Sequence, residues 1–302
     1  MSKLMEFGRS DRRIGVAMIL AALVCLGLAL AQGAPGAAAR RGFSSTDFTN
    51  HVKALAKKVP SGFTVLVQPP FVVIGDQSPR EVQRWATGTV KWAVDHLKKD
   101  YFQRDPEEII DIWLFQDKTS YEKNVRKIFN EDPVSPFGYY SPSHRALIMN
   151  IGTGGGTLVH EIVHPFVRAN FPECPAWFNE GLGSLYEQCG EKNGHIYGYT
   201  NWRLPILQNG IRSGETLPFD QLLTMSDTAF YKGRSIHYAQ ARYLCYYLQE
   251  QGLLVKFYHD FLTHANKDPT GLKTLKKILG QDDLGPFKKN WEAFVLKLKF
   301  NE

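Results

Sequence analysis

Residues 157–187 read TLVHEIVHPFVRANFPECPAWFNEGLGSLYE, and this stretch carries the pattern that decides the fold. His160 and His164 are four positions apart, so on a helix their side chains share one face. Glu161 follows the first histidine, and helix geometry turns it about 100° away from that residue. The pattern therefore predicts two imidazoles that bind one metal ion, with a carboxylate beside them that is not a ligand.

The third ligand must come from another part of the chain, because a catalytic zinc site takes three protein ligands and keeps one position open. Glu180, in the segment Trp177–Gly181 (WFNEG), lies far enough downstream for a turn to bring back a second helix. Glu173 and Glu187 are competing ligands. Glu187 lies one heptad after Glu180 and could share its face of the helix. It could therefore hydrogen-bond to a metal ligand without binding the metal itself.

The stretch resembles the gluzincin metallopeptidases, in which a downstream glutamate from a Trp-x-Asn-Glu-Gly segment completes the zinc site. It is similar to the peptidase-MA-like proteins, which have a thermolysin-like catalytic domain. The resemblance implies a zincin-like α+β fold. It further implies that His160, His164 and Glu180 bind Zn²⁺ and that Glu161 acts as the general base.

Two other segments narrow the activity that the resemblance implies. Metzincins need a glycine and a histidine or aspartate where this chain has Val167 and Asn170, so that branch is excluded. Aminopeptidases of the clan hold the substrate's amine with a glutamate in a Gly-x-Met-Glu-Asn strand, whereas residues 147–150 read LIMN. An endopeptidase is therefore expected, with Ala146–Asn150 as an edge strand that pairs with extended substrate backbone.

A second catalytic residue is implied by the segment Tyr238–Leu248 (YAQARYLCYYL). It resembles, without a gap, the helix that a tyrosine opens in the aminopeptidase-N branch. The resemblance implies that Tyr238 donates a hydrogen bond to the oxyanion, with Tyr231 and His237 as alternates. Simple packing of an amphipathic helix by its tyrosines stays open as another interpretation.

Three functions are compatible with these motifs. The first is a secreted zinc metallopeptidase acting on a peptide or protein, and the second is a binding protein that has lost turnover. Glu161 argues against the second because a binding protein needs no general base. The third is a zinc hydrolase of a non-peptide amide, which would use the same metal chemistry.

Length and composition limit the number of domains, the partners and the state of the cysteines. The chain has 302 residues, 43% of them hydrophobic, which is enough for one large or two smaller domains. Its net charge of +6 is modest, and the sequence contains no basic run interleaved with aromatics, so nucleic acid is not an expected partner. Cys174 and Cys189 flank the Glu180 segment and either form a disulfide or remain reduced.

The N-terminus has the pattern of a secretory signal peptide over residues 1–31. Residues 14–31 carry no charge, and Ala29-Leu30-Ala31 offers small side chains at a cleavage site. Residues 32–42 (QGAPGAAARRG) then form a linker. The pattern predicts a secreted, periplasmic or extracellular protein, with an uncleaved membrane anchor as the alternative.

The export prediction has a direct test. Mass spectrometry of the mature protein should find Gln32 at its N-terminus, because cleavage follows Ala31. An intact Met1 in a soluble cytosolic fraction would contradict export, and an intact Met1 in membranes would support the anchor.

Residues 43–155 are predicted to form an α/β region, a mixed sheet with helices on one face, and residues 156–302 a helical region that carries the metal site. The glycines at 152–156 allow the last strand to turn into the metal helix. Pro165 follows His164 directly, so the helix is expected to kink there or to end near His164. The sequence leaves the oligomeric state open.

Overall fold

A computed structural model describes residues 42–300, except for the side chain of Arg234. The predicted signal peptide (1–31) and all but the last residue of the predicted linker (32–42) lie outside the described residues. Within 42–300, no helix is both long enough and apolar enough to cross a bilayer.

The first part of the chain alternates between helices and strands. Its elements are α1 (Ser45–Leu55), β1 (Thr64–Gln68), β2 (Phe71–Gly75), α2 (Pro79–Trp85), a π-helical segment (Ala86–Lys91), α3 (Trp92–Asp100), β3 (Ile110–Phe115), α4 (Lys118–Phe129), β4 (Gly138–Ser141) and β5 (Ala146–Asn150). A 3₁₀ turn (Ile151–Thr153) then leads into the metal helix.

The second part is mainly helical. Its elements are α5 (Gly156–Asn170), α6 (Ala176–Leu185), β6 (Cys189–Lys192), β7 (His195–Gly198), α7 (Arg203–Ser213), α8 (Phe219–Thr224), α9 (Asp227–Lys232), α10 (Arg234–Glu250), α11 (Leu254–His264), α12 (Leu272–Leu279) and α13 (Leu284–Lys297). The sequence did not predict the β6–β7 hairpin or α9, because their short segments show no clear hydrophobic period.

The five-stranded sheet has the order β1-β2-β3-β5-β4. Strands β2, β3 and β5 are parallel neighbours, and β1 and β4 pair antiparallel at the two edges. The structure confirms the mixed sheet and the α+β class.

Helices cover both faces of the sheet, so the expectation of helices on one face was wrong. Every residue of β2, β3 and β5 is buried. Because side chains alternate across a strand, Ile112 packs toward the helical part, whereas Trp113 packs with residues of α1 and α4. Strands buried on both faces have continuous apolar runs, and an apolar run does not show how many faces are covered.

The edge strand at the cleft is β4, so the expectation that Ala146–Asn150 forms this edge was also wrong. Strand β5 lies between β3 and β4 and is hydrogen-bonded on both sides. In this sheet β4 pairs with β5 alone, and its residues Gly138 and Tyr140 line the cleft described below. Strand order depends on long-range pairing, which chain order does not reveal.

The metal helix α5 continues through Pro165 to Asn170, so it does not end near His164. Proline removes one helical hydrogen bond, but ten residues of α5 are buried, Pro165 among them, and this packing keeps the helix in place. The two histidines therefore lie in the middle of a packed helix, a rigid position that suits metal ligands.

Close packing positions the third predicted ligand. Gly181 of α6 lies against α10, where a Cβ atom would come within 3.1 Å of the Ala241 carbonyl oxygen. The buried Arg242 of α10 donates to the carbonyl oxygens of Ser184 and Leu185 at the end of α6. Helix α6, which carries Glu180, is thus held closely against α10.

One apolar core runs from the sheet through α5 and α6 to the last helix, so residues on both sides of position 155 share it. The division into two regions at residues 155 and 156 stays a prediction. Cys174, Cys189 and Cys245 are free thiols, which answers the question that the spacing of Cys174 and Cys189 left open.

Candidate metal centre

The three predicted ligands converge at the junction of α5 and α6. One ligand atom each from His160, His164 and Glu180 lies within 4.8 Å of the others. The Oε2 atom of Glu180 is 3.3 Å from His160 Nε2 and 4.0 Å from His164 Nε2. Glu173 is exposed and is not part of this group. Helices α5 and α6, which a short turn connects, thus bring two imidazoles and one carboxylate to one point.

Hydrogen bonds orient both imidazole rings. His160 Nδ1 is 3.1 Å from Glu187 Oε1, and His164 Nδ1 is 3.0 Å from Asn179 Oδ1. An oxygen acceptor at Nδ1 favours the tautomer with hydrogen on that atom, which leaves a lone pair on Nε2. The two Nε2 atoms lie 3.3 and 4.0 Å from Glu180 Oε2, where a bound metal ion would take the place of a proton.

Glycine at position 183 lets the His160 ring lie directly on α6. A Cβ atom there would lie 3.2 Å from His160 Nε2 and 3.3 Å from the two neighbouring ring carbons. Such contacts are tighter than ordinary van der Waals distances, so even an alanine at this position would require the ring to shift by a few tenths of an ångström.

Behind the ligands lies a buried ion pair. Arg203 of α7 is 1% exposed and donates to Glu187 twice, from Nε to Oε2 at 2.9 Å and from Nη2 to Oε1 at 2.7 Å. Asn201 Nδ2 adds a third bond to Glu187 Oε2 at 3.0 Å. Glu187 thus has the role that its heptad spacing from Glu180 allowed: it contacts His160 and lies outside the ligand group.

The carboxylates of Glu180 and Glu187 favour positive charge on His160. Burial disfavours a charged imidazole, but the hydrogen bonds of His160 to Glu180 and Glu187 outweigh it and raise the pKa of His160 to about 10. Burial likewise opposes ionisation of Glu187, but Arg203 holds the pKa of Glu187 well below its usual range. Burial also opposes ionisation of Glu180, but His164 and His160 lower its pKa, so two ionised carboxylates lie beside the histidines.

The donor set fits Zn²⁺. Two imidazole nitrogens and one carboxylate oxygen are ligands that zinc takes in catalytic sites. Ligand atoms about 2.0–2.1 Å from a tetrahedral ion are about 3.3 Å apart, and the His160–Glu180 distance is 3.3 Å. The His164–Glu180 distance is 4.0 Å and the three ligand atoms are separated by up to 4.8 Å, so the side chains must move closer together to bind one ion.

Glu161 lies beside the ligands in a cleft of about 960 Å³. Burial raises the pKa of Glu161, against the opposite influence of His164 and His160. A carboxylate with a raised pKa is a better proton acceptor near neutral pH. Glu161 thus lies in the cleft but outside the ligand group.

The three candidate oxyanion donors have different surroundings. Tyr231 donates from its hydroxyl to Glu180 Oε1 at 3.2 Å. His237 lies outside the cleft lining, with its Nδ1 atom 3.1 Å from the Phe230 carbonyl oxygen. Tyr238 lines the cleft, and within residues 42–300 its hydroxyl has no hydrogen-bond partner.

Sequence reasoning missed Asn179, Gly183 and Arg203. The first two lie on the same helix as Glu180: Asn179 directly precedes it, and Gly183 follows it by about one turn, so their nearness in the sequence was a usable signal. Arg203 had no such signal, because its contact with Glu187 depends on how α7 packs against α6.

Comparisons with known proteins show only weak similarity. No family model and no curated protein matches this chain. Two structures of yeast LTA4 hydrolase, one native and one in complex with bestatin, are similar to it at 14% and 13% identity, with TM-scores of 0.39 and 0.37. Each alignment covers 80% of this chain but only 40% of the yeast protein. Both TM-scores are below 0.5, so the geometry of the site carries the functional argument.

Proposed function

We propose that this protein is a zinc-dependent metallopeptidase that hydrolyses internal peptide bonds. The observation that carries the proposal is the convergence of His160, His164 and Glu180 on one point, with Glu161 beside them in an open cleft. Two oriented imidazoles, one carboxylate and a separate base are the components that metal-assisted hydrolysis of an amide needs.

The side chains divide the work of that reaction. Zinc, when bound, polarises the substrate carbonyl and makes water more acidic. Glu161 accepts the proton of the attacking water and passes it to the leaving amine, which a base of raised pKa can do. Glu187 and Asn179 hold the imidazoles in their orientation. The Tyr238 hydroxyl donates a hydrogen bond to the oxygen that becomes negatively charged.

The edge strand supports a peptide as substrate. One side of β4 (Gly138–Ser141) has no strand partner in the described sheet, and residues of β4 line the cleft. Such an edge offers backbone donors and acceptors to an extended peptide. Because the cleft is open and the strand at 147–150 lacks an amine-binding glutamate, an endopeptidase is favoured over an aminopeptidase. Export from the cytoplasm, proposed from residues 1–31, agrees with a digestive or processing role outside the cell.

One experiment tests metal and activity together. The purified chain should contain about one zinc per molecule and cut members of a peptide library, and a chelator should abolish cleavage. His160→Ala should lose both zinc and cleavage, whereas the exposed His264→Ala should keep both. Stoichiometric zinc in His160→Ala would contradict the ligand assignment. Full zinc without cleavage of any peptide would favour a binding protein or a hydrolase of non-peptide amides.

The role of Tyr238 is tested by removing its hydroxyl group. Tyr238→Phe should lower kcat about a hundredfold to a thousandfold with little change in KM, because the bond forms mainly in the transition state. Thermal stability should hardly change, since the ring keeps its contact with Phe230 at 5.3 Å between centroids. Tyr231→Phe is the comparison: if it loses kcat while Tyr238→Phe does not, the donor is Tyr231.

A further inference from the structure

We propose that Arg168 binds a carboxylate of the substrate, so that peptides with an acidic group near the bond to be cut are preferred. This inference rests on the proposed function and adds a substrate class to it. The carboxylate can belong to an acidic side chain or to the C-terminus of the peptide, and both offer the same two oxygens to a guanidinium.

Arg168 lies on the metal helix, four positions after His164. The two residues therefore share a face of α5, separated by about 6 Å along the helix axis. Arg168 is exposed and lines the same cleft as the ligands. An extended peptide advances about 3.3 Å per residue, so an offset of about 6 Å corresponds to about two residues from the bond at the metal.

The guanidinium lies at the edge strand. Its carbon is 5.3 Å from the centroid of the Tyr140 ring, and Tyr140 belongs to β4. A contact of this kind holds a cation over an aromatic face while leaving its N–H groups available. A peptide that pairs with β4 thus passes directly beside Arg168.

The charges of the cleft leave this arginine uncompensated. Within residues 42–300, no carboxylate lies within 4.0 Å of Arg168, whereas the other arginine of the cleft, Arg203, is bound to Glu187. The acidic residues away from the metal are engaged: Glu191 contacts His96 at 3.2 Å, and Asp227 accepts from the backbone N–H of Ala176 at 3.0 Å. An incoming carboxylate would meet an arginine without a competing partner.

The test uses pools of hexapeptides in four forms, with aspartate or asparagine at one position and with a free or amidated C-terminus. Two quantities are measured: kcat/KM with the wild-type protein, and binding to Glu161→Gln, which keeps the cleft but lacks the base. We expect acidic forms to be favoured about tenfold over neutral ones, the scale of one charge-assisted contact near the surface. Amidation abolishes the preference if the C-terminus is bound, and asparagine abolishes it if a side chain is bound.

Three variants complete the test. Arg168→Gln should bring the acidic-to-neutral ratio close to one, Arg168→Lys should leave an intermediate ratio, and the exposed Arg212→Gln should keep the wild-type ratio. A wild-type ratio near one, or an unchanged ratio in Arg168→Gln, overturns the inference while cleavage still supports the peptidase. If no peptide is cut but Glu161→Gln binds acidic forms through Arg168, the inference holds and the proposed activity fails.

Discussion

Glu161→Gln is expected to retain one zinc per molecule and to lose peptide hydrolysis by a factor of about 10² to 10⁴. The loss corresponds to about 2.7–5.5 kcal/mol of transition-state stabilisation. Its physical reason is that an amide side chain has nearly the shape of the carboxylate but cannot accept the proton of water. Elemental analysis and kcat/KM on the same preparation check both parts of the prediction.

The matched control is Glu107→Gln, the same change at an exposed loop position outside the cleft. It should alter neither zinc content nor turnover. Loss of zinc in Glu161→Gln would show that Glu161 is a ligand, and undiminished turnover would show that another group is the base. Either result would require a new assignment of the residues at the site.

Arg203→Ala is expected to lower the free energy of unfolding by about 3–5 kcal/mol, which is the usual effect of removing one partner of a buried ion pair. Arg203 is 1% exposed, and its loss leaves Glu187 ionised and buried, with the single hydrogen bonds from Asn201 and His160 in place of the paired guanidinium. Denaturant unfolding in excess chelator measures the change, because without free metal the binding of zinc adds nothing to stability.

Two comparisons separate this effect from the simple loss of an arginine. Arg126 pairs with Asp132 at 2.7 Å on the surface, where the two side chains are 56% and 82% exposed, so Arg126→Ala should cost at most about 1 kcal/mol. The double variant Arg203→Met with Glu187→Gln should be more stable than Arg203→Ala, because no unpaired charge remains buried. Equal losses in the buried and surface variants would contradict the buried-pair explanation.

The local parts of this protein could be predicted from its sequence. The spacing of His160 and His164 requires only one helix, and the repeat of the helix fixes where two neighbouring side chains point. Glu161 follows from the same helix repeat. Glu180 was singled out by the resemblance of its segment to the gluzincin motif, and it reaches the histidines only because α6 packs against α5. Apolar runs between turn residues predict strands at 63–67, 71–74, 109–115, 137–140 and 145–151. These agree with β1–β5 to within one residue at each end.

The parts that depend on contacts between distant residues were decided by tertiary structure alone. That β4 forms the edge, that helices cover both faces of the sheet, and that Arg203 binds Glu187 all result from packing between separate elements. Local propensity carries no information about such pairings, because their stability comes from burial and charge compensation across the assembled fold. The chain thus encodes its candidate metal ligands within one segment of 31 residues, whereas the walls of the cleft exist only after the sheet and helices have assembled.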